Sequence, residues 1–177
     1  MPVPFDYDAA GPRFHQLLRD ARDFAGLTTT NQSYTMLEGV LLAFRRRVSL
    51  RDGLKFADVL PAVPRAVFVY RWDVDAPTVP FGDRRDWTHD AQSLRHDHNY
   101  SPDSCVSNVA AAVRRNVDTR SFERCLQELG PLATDFWTPT SEDLDRVALE
   151  HPFPGPLRMV PLVGRPGSDR RSAHPPD

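Results

Sequence analysis

The sequence predicts an all-α fold, an internally duplicated helical domain made of two units of about four helices each. Three observations carry that expectation. Prolines are missing from the windows 13–60, 81–101 and 103–130, although the chain has 17 of them in 177 residues. A proline inside a helix costs about 3 kcal/mol through a lost hydrogen bond and a clash with the preceding turn, so long helices are permitted in these windows. Apolar residues there recur at spacings of three and four, the period of an amphipathic helix and not of a strand. Slid against itself by 69 residues without gaps, the chain matches apolar to apolar and arginine to arginine.

The elements follow in order. A helix over 12–26 rests on Phe14, Leu17, Leu18, Ala21, Phe24 and Ala25. The next, over 30–48, rests on Met36, Leu37, Val40, Leu41, Phe44 and Val48, with Thr30 or Asn31 as its cap. Arg45, Arg46 and Arg47 close it, where cations meet the negative end of the helix dipole. Helices over 50–60 and 62–71 are divided by Pro61. Residues 72–83, rich in turn formers, read as a connector pinned to the surface by Trp72 and Phe81. Helices over 86–98, 102–116, 118–129 and 131–137 come next, and a short one over 141–150 rests on Leu144, Val147 and Ala148. Ser101 followed by Pro102 supplies a cap and a proline in the first helical position, and Arg114 and Arg115 close that helix. No strand is expected. The domain is expected to span 12–137, with repeat 1 about 12–72 and repeat 2 about 84–137. An N-terminal extension, 1–11, precedes it. A proline-rich extension, 138–177, follows it, and its last part from Gly164 on has too little apolar surface to order itself.

The self-match pairs Leu37 with Val106, Val40 with Val109, Phe44 with Val113, Arg45 with Arg114 and Arg46 with Arg115. It continues through Phe56 with Cys125, Ala57 with Leu126, Leu60 with Leu129 and Phe68 with Trp137. A long period with retained helical phase is the mark of a duplicated unit whose apolar face is covered by its neighbour. Charge separates the copies. Residues 12–72 carry 10 basic and 5 acidic side chains, and residues 73–137 carry 7 and 11.

The run Leu27-Thr-Thr-Thr-Asn-Gln-Ser-Tyr34, then Gly39-Val-Leu-Leu-Ala-Phe-Arg-Arg-Arg-Val48, Val59-Leu-Pro61, Val67-Phe68 and Trp72-Asp73-Val-Asp75 resemble the bacterial family known as domain of unknown function 2267. Leu94-Arg-His-Asp-His-Asn99, Val109-Ala-Ala-Ala-Val-Arg-Arg115 and Asp135-Phe-Trp137 echo the family's second half. The resemblance covers about residues 12–137. It implies an all-helical, internally duplicated domain and carries over no activity, cofactor or catalytic residue. In the second half Leu129-Gly130-Pro131 stands where the family repeats a Leu-Pro turn, which bears on the start of the last helix.

Chemistry is sparsely marked. With 40% hydrophobic and 26% charged residues and a net charge of -2, the chain has an ordinary globular composition. No apolar run approaches the roughly 20 residues that span a bilayer, so no membrane association is expected. The opening Met-Pro-Val-Pro-Phe-Asp-Tyr-Asp is acidic where a secretory leader is basic, and the two cysteines are too few for a disulfide framework; a cytoplasmic protein is expected. His89, His96 and His98 form the densest set of metal-ligand types, with His89 and His96 on one face if a single helix carries both. Their spacing is wide for a compact site. Arg45, Arg46, Arg47 and Arg51 offer a basic patch to nucleic acid, against which stand the slightly negative net charge and the different directions of three consecutive helical residues. Cys105 and Cys125 fall in apolar phase and are expected to be buried. Phosphate loops, nucleophile elbows and zinc-protease motifs are missing. The expected function is a non-enzymatic protein-interaction or scaffold module without cofactor, binding a protein partner. The alternatives are nucleic-acid binding through the first repeat and a metal or small-molecule site near His89 and His96.

Overall fold

A computed structural model of the chain describes residues 4–140. Its elements are α1 (Phe5–Asp8), α2 (Ala10–Ala25), α3 (Thr30–Arg45), α4 (Leu50–Asp58), α5 (Ala62–Val69), α6 (Arg84–Ser93), a single 3-10 turn (His96–His98), α7 (Cys105–Asn116), α8 (Thr119–Leu129) and α9 (Pro131–Phe136). The fold is all-α, and no strand occurs among the described residues. The helix expected over 141–150 and the extension beyond it lie outside those residues.

Helix boundaries follow local chemistry. The α3 cap is Thr29, one residue before the expected Thr30 or Asn31: its hydroxyl accepts from Gln32 N–H, and the Gln32 carboxamide oxygen accepts from Thr29 N–H, a reciprocal box. The Thr-Thr-Thr run hides which of three equivalent residues does this; Gln32, three residues on, picks it out. α3 stops at Arg45, short of the expected Val48, because Arg47 N–H turns to the Phe44 carbonyl (2.9 Å) and its guanidinium is drawn inward. The helix expected over 86–98 ends at Ser93. Asn99 Nδ2 donates to the carbonyls of Ala91 (2.9 Å) and Leu94 (2.7 Å), and the first of these would have served the next helical turn. The helix expected from 102 starts at Cys105, since Cys105 N–H bonds Pro102 O in a preceding turn.

The core runs through the middle of the molecule. α2 packs against α7 and α3, α3 also against α6 and α5, α4 against α8 and α5, and α8 against α9. Close approach of α3 and α6 depends on Gly39, where a Cβ would run into the Ala91 carbonyl oxygen. Gly53 has a matching role under Trp72, whose indole occupies the space a side chain would need. At the centre Phe56, fully buried, touches Phe44, Phe68, Phe122 and Trp137. The connector is pinned as expected: Phe81 packs on Phe44, Trp87 and Phe136, its carbonyl accepts from Trp87 Nε1 (2.6 Å), and Val79 N–H donates to Arg46 O (2.9 Å).

Several contacts recur at an interval of 69 residues. Arg45 Nη1 donates to Phe68 O (2.7 Å), and Arg114 Nε donates to Trp137 O (2.7 Å). Arg65 Nε donates to Ala57 O (2.9 Å), and Thr134 Oγ1 donates to Leu126 O (3.3 Å), so each closes the end of α4 or α8. Arg45 lies over the Trp72 ring and Arg114 over the Phe122 ring, each 5.5 Å from the centroid. Phe122 is the position that matches Gly53, so Trp72 fills beside α4 the place that Phe122 fills on α8.

Candidate functional site

The basic cluster is mostly committed to the fold. Arg45, besides Phe68 O, bonds Tyr70 O (3.0 Å), and burial lowers its pKa. Arg47 is 8% exposed, donating to Phe81 O (2.7 Å) and Ala43 O (2.6 Å) and pairing with Asp90 (2.7 Å). Arg46 reaches the same carboxylate at 3.0 Å. Arg51 stands exposed on α4. The four arginines therefore do not share one face. The first three hold the C-terminal end of α3 to the connector, to α5 and to α6, a role hidden from sequence because the accepting groups on those elements are 23 to 44 residues away.

The histidines are separated as well. His89 is exposed on α6 beside Arg84, Arg85, Thr88, Gln92 and Asp103, around a recess of about 450 Å³. His98 lines a different recess, with Tyr34, Arg95 and Tyr100. The break at Ser93 removes the continuous helix on which His89 and His96 were expected to share a face. Among the described residues no group of three His, Cys, Asp or Glu is placed to hold a metal ion.

Both cysteines are buried and free. Burial pushes the Cys105 thiol up to about 12 and the Cys125 thiol up to about 11; Glu128 adds to the second shift. The thiolate is the reactive form, and each unit of pKa removes tenfold of it at neutral pH. Labelling with a disulfide reagent at pH 8 is therefore expected to run on the order of a hundredfold slower in the native protein than in urea. Stoichiometric labelling of either cysteine within the dead time under native conditions would contradict the burial.

What the sequence missed lies on α4. Phe56, Ala57 and Gly53 face inward, while Leu50 and Leu54 remain 44% and 51% exposed, with Arg51, Asp58 and the Lys55–Asp52 pair (3.7 Å) on the rest of the helix surface. The two leucines are one turn apart and share a face. At about 100° per residue the apolar arc of α4 is wider than the core uses, and that excess width is the signal that could have found it. No helix among the described residues is long and apolar enough to cross a membrane.

The model of a conserved family, described as Uncharacterized conserved protein (DUF2267), matches residues 14–135. No curated protein matches the chain.

Proposed function

We propose, since the chain belongs to the uncharacterised conserved family DUF2267 and takes no chemistry from it, that the protein is a non-enzymatic interaction module. The domain is a duplicated helical unit over 12–137, with repeat 1 about 12–72 and repeat 2 about 84–137. The contacts that recur at 69 residues support the duplication, above all the carbonyl bonds of Arg45 and Arg114 and the exchange of Trp72 for Phe122. The partner is an amphipathic protein segment that lies along α4. The observation that carries this reading is the pair Leu50 and Leu54, left 44% and 51% exposed one turn apart on α4. Apolar anchors one turn apart on an exposed helix face suit a partner helix that lays its own apolar face along them. Two buried, free thiols accord with a reducing compartment such as the cytoplasm.

Photocrosslinking in intact cells tests this reading. A photoreactive phenylalanine analogue at position 54 of the full chain is expected to give a discrete crosslinked species. Leu50→Asp in the same chain should reduce it at least about tenfold, since a buried apolar anchor contributes about 1.5–3 kcal/mol. The analogue at Val74, exposed in the connector, serves as control. Equal crosslinking at both positions, or no effect of Leu50→Asp in a chain whose circular dichroism is unchanged, would overturn the assignment.

A further inference from the structure

A second feature, on the opposite end of α3 from the arginine cluster, points outward from the fold. A recess of about 310 Å³ opens between the first turns of α3 and the segment that joins α6 to α7. Asn31, Gln32 and Tyr34 line it from α3, and Arg95, His98 and Tyr100 from the joining segment. No carboxylate is among the lining residues described. The Gln32 oxygen is engaged in the helix cap, which turns its amide nitrogen, a donor, to other uses. Asn31, Arg95, His98 and Tyr100 spend no side-chain donor on a hydrogen bond or ion pair to another described residue. Burial and Glu38 raise the Tyr34 pKa, Arg95 acting the other way, so the phenol stays protonated at neutral pH and is a donor too. The recess thus presents donors from two directions and two phenol rings, with Tyr34 held edge-on against Phe14 at 6.3 Å.

Arg95 itself has a conformation that disfavours a side chain. Its φ is 54°, in the left-handed region; Gly26, 69 residues earlier at the end of α2, has φ 63°. Glycine enters that region without the Cβ clash that other residues meet. The other non-glycine residue of this kind among the described residues, Arg71 (φ 48°), stacks its guanidinium on the Tyr70 ring at 5.2 Å. Arg95 has no comparable partner among the described residues, and what it gains by standing there faces the recess.

We propose that this recess binds a phosphate monoester whose alcohol part bears a planar ring, a ligand of mononucleotide size. Arg95 and His98 meet the phosphate, with Asn31 and Gln32 as neutral donors, and the rings of Tyr34 and Tyr100 meet the planar group. A guanidinium matches two phosphate oxygens at once, and an aromatic side chain accepts any planar ring on its face. The volume is at the lower end of small-molecule sites, which suits a single nucleotide rather than a dinucleotide.

The test is calorimetric titration of the full chain with adenosine 5'-monophosphate, inorganic phosphate and adenosine as separate titrants. The monophosphate is expected to bind saturably, phosphate at least about tenfold more weakly, and adenosine more weakly still. Arg95→Gly is expected to cost at least about tenfold in monophosphate affinity, as loss of a charge-assisted bond does, while its thermal midpoint stays level or rises because the left-handed backbone is relieved. Tyr100→Ala should weaken the monophosphate and leave phosphate unchanged. Absence of saturable monophosphate binding, adenosine binding as tight as the monophosphate, phosphate binding as tight as the monophosphate, or Arg95→Gly affinity equal to that of the parent would each overturn the proposal. With its thermal midpoint level or raised, lost affinity in Arg95→Gly cannot be put down to unfolding.

Discussion

Truncating Phe56 to alanine is expected to remove about 4 kcal/mol of stability, a third or more of what a domain of this size commonly has. The ring is fully buried, with centroids 4.7 Å from Phe44, 5.3 Å from Phe68, 5.8 Å from Phe122 and 5.0 Å from Trp137, on which it stacks. Two terms add: the lost transfer of the ring out of water, and the void left behind. The void cannot readily close. Phe68 and Trp137 are both held through their own carbonyls by Arg45 and Arg114, and Phe44 is wedged in turn against Phe136 and Trp137. The matching residue 69 positions on, Cys125, gives an internal control, because its small side chain at the edge of α8 makes Cys125→Ala worth about 1 kcal/mol or less. Urea unfolding followed by circular dichroism measures both. A Phe56→Ala cost below that of Cys125→Ala would mean that the aromatic cluster is not the centre of the fold.

That centre is partly legible in the sequence. Phe44, Phe56, Phe68 and Trp137 fall in helical phase, and the 69-residue self-match by itself lines up Phe68 with Trp137. Apolar phase reports which face of a helix is covered. It does not report what covers it, and so the exchange of Trp72 for a side chain at Gly53 is out of its reach: the indole comes from the connector, 19 residues away in sequence. The arginines are hidden for the same reason. Arg45, Arg46 and Arg47 read as dipole-pairing or anion-seeking because their composition is all that a local window contains, whereas Phe68 O, Phe81 O and the Asp90 carboxylate reach them from other elements. The end of α6 is a third case. Nothing between Arg84 and His98 forbids a helix, and it is Asn99, taking the carbonyls of Ala91 and Leu94, that ends it. Leu50 and Leu54 stand in plain view in the sequence, and only the width of the apolar arc of α4, not the hydrophobicity of either residue, marks them as surplus to the core.

Replacing Asp20 by leucine is expected to cost about 3–5 kcal/mol, because it strands cations and donors that the fold has already taken out of water. Asp20 is 5% exposed; Asn116 Nδ2 donates to it at 2.8 Å, Gln16 Nε2 at 3.0 Å, and Arg115 Nη1 lies 3.6 Å away with its side chain 8% exposed. Arg115 and Asn116 match, 69 positions back, Arg46 and Arg47, and those two pair with Asp90 of α6. A carboxylate on α2 thus reaches the end of α7 and a carboxylate on α6 reaches the end of α3, and the two carboxylates fasten α2 to α7 and α6 to α3. They differ in depth. The Asp90 side chain is 19% exposed and Arg46 53%, and Arg47, though its side chain is 3% exposed, keeps the carbonyls of Phe81 and Ala43 as partners, so Asp90→Leu strands less and about 1–2 kcal/mol is expected there. The origin of the larger cost is separable. If it comes from stranding Arg115 rather than from loss of an attraction, then Asp20→Leu together with Arg115→Met should recover most of it, since apolar groups of similar volume can stand in for a buried pair. Denaturant unfolding of the four chains closes the cycle, and it should change little between low and moderate salt because a buried pair is poorly screened. A double variant no more stable than Asp20→Leu alone would show that the carboxylate holds α2 to α7 chiefly through Asn116 and Gln16, and that Arg115 is incidental to it.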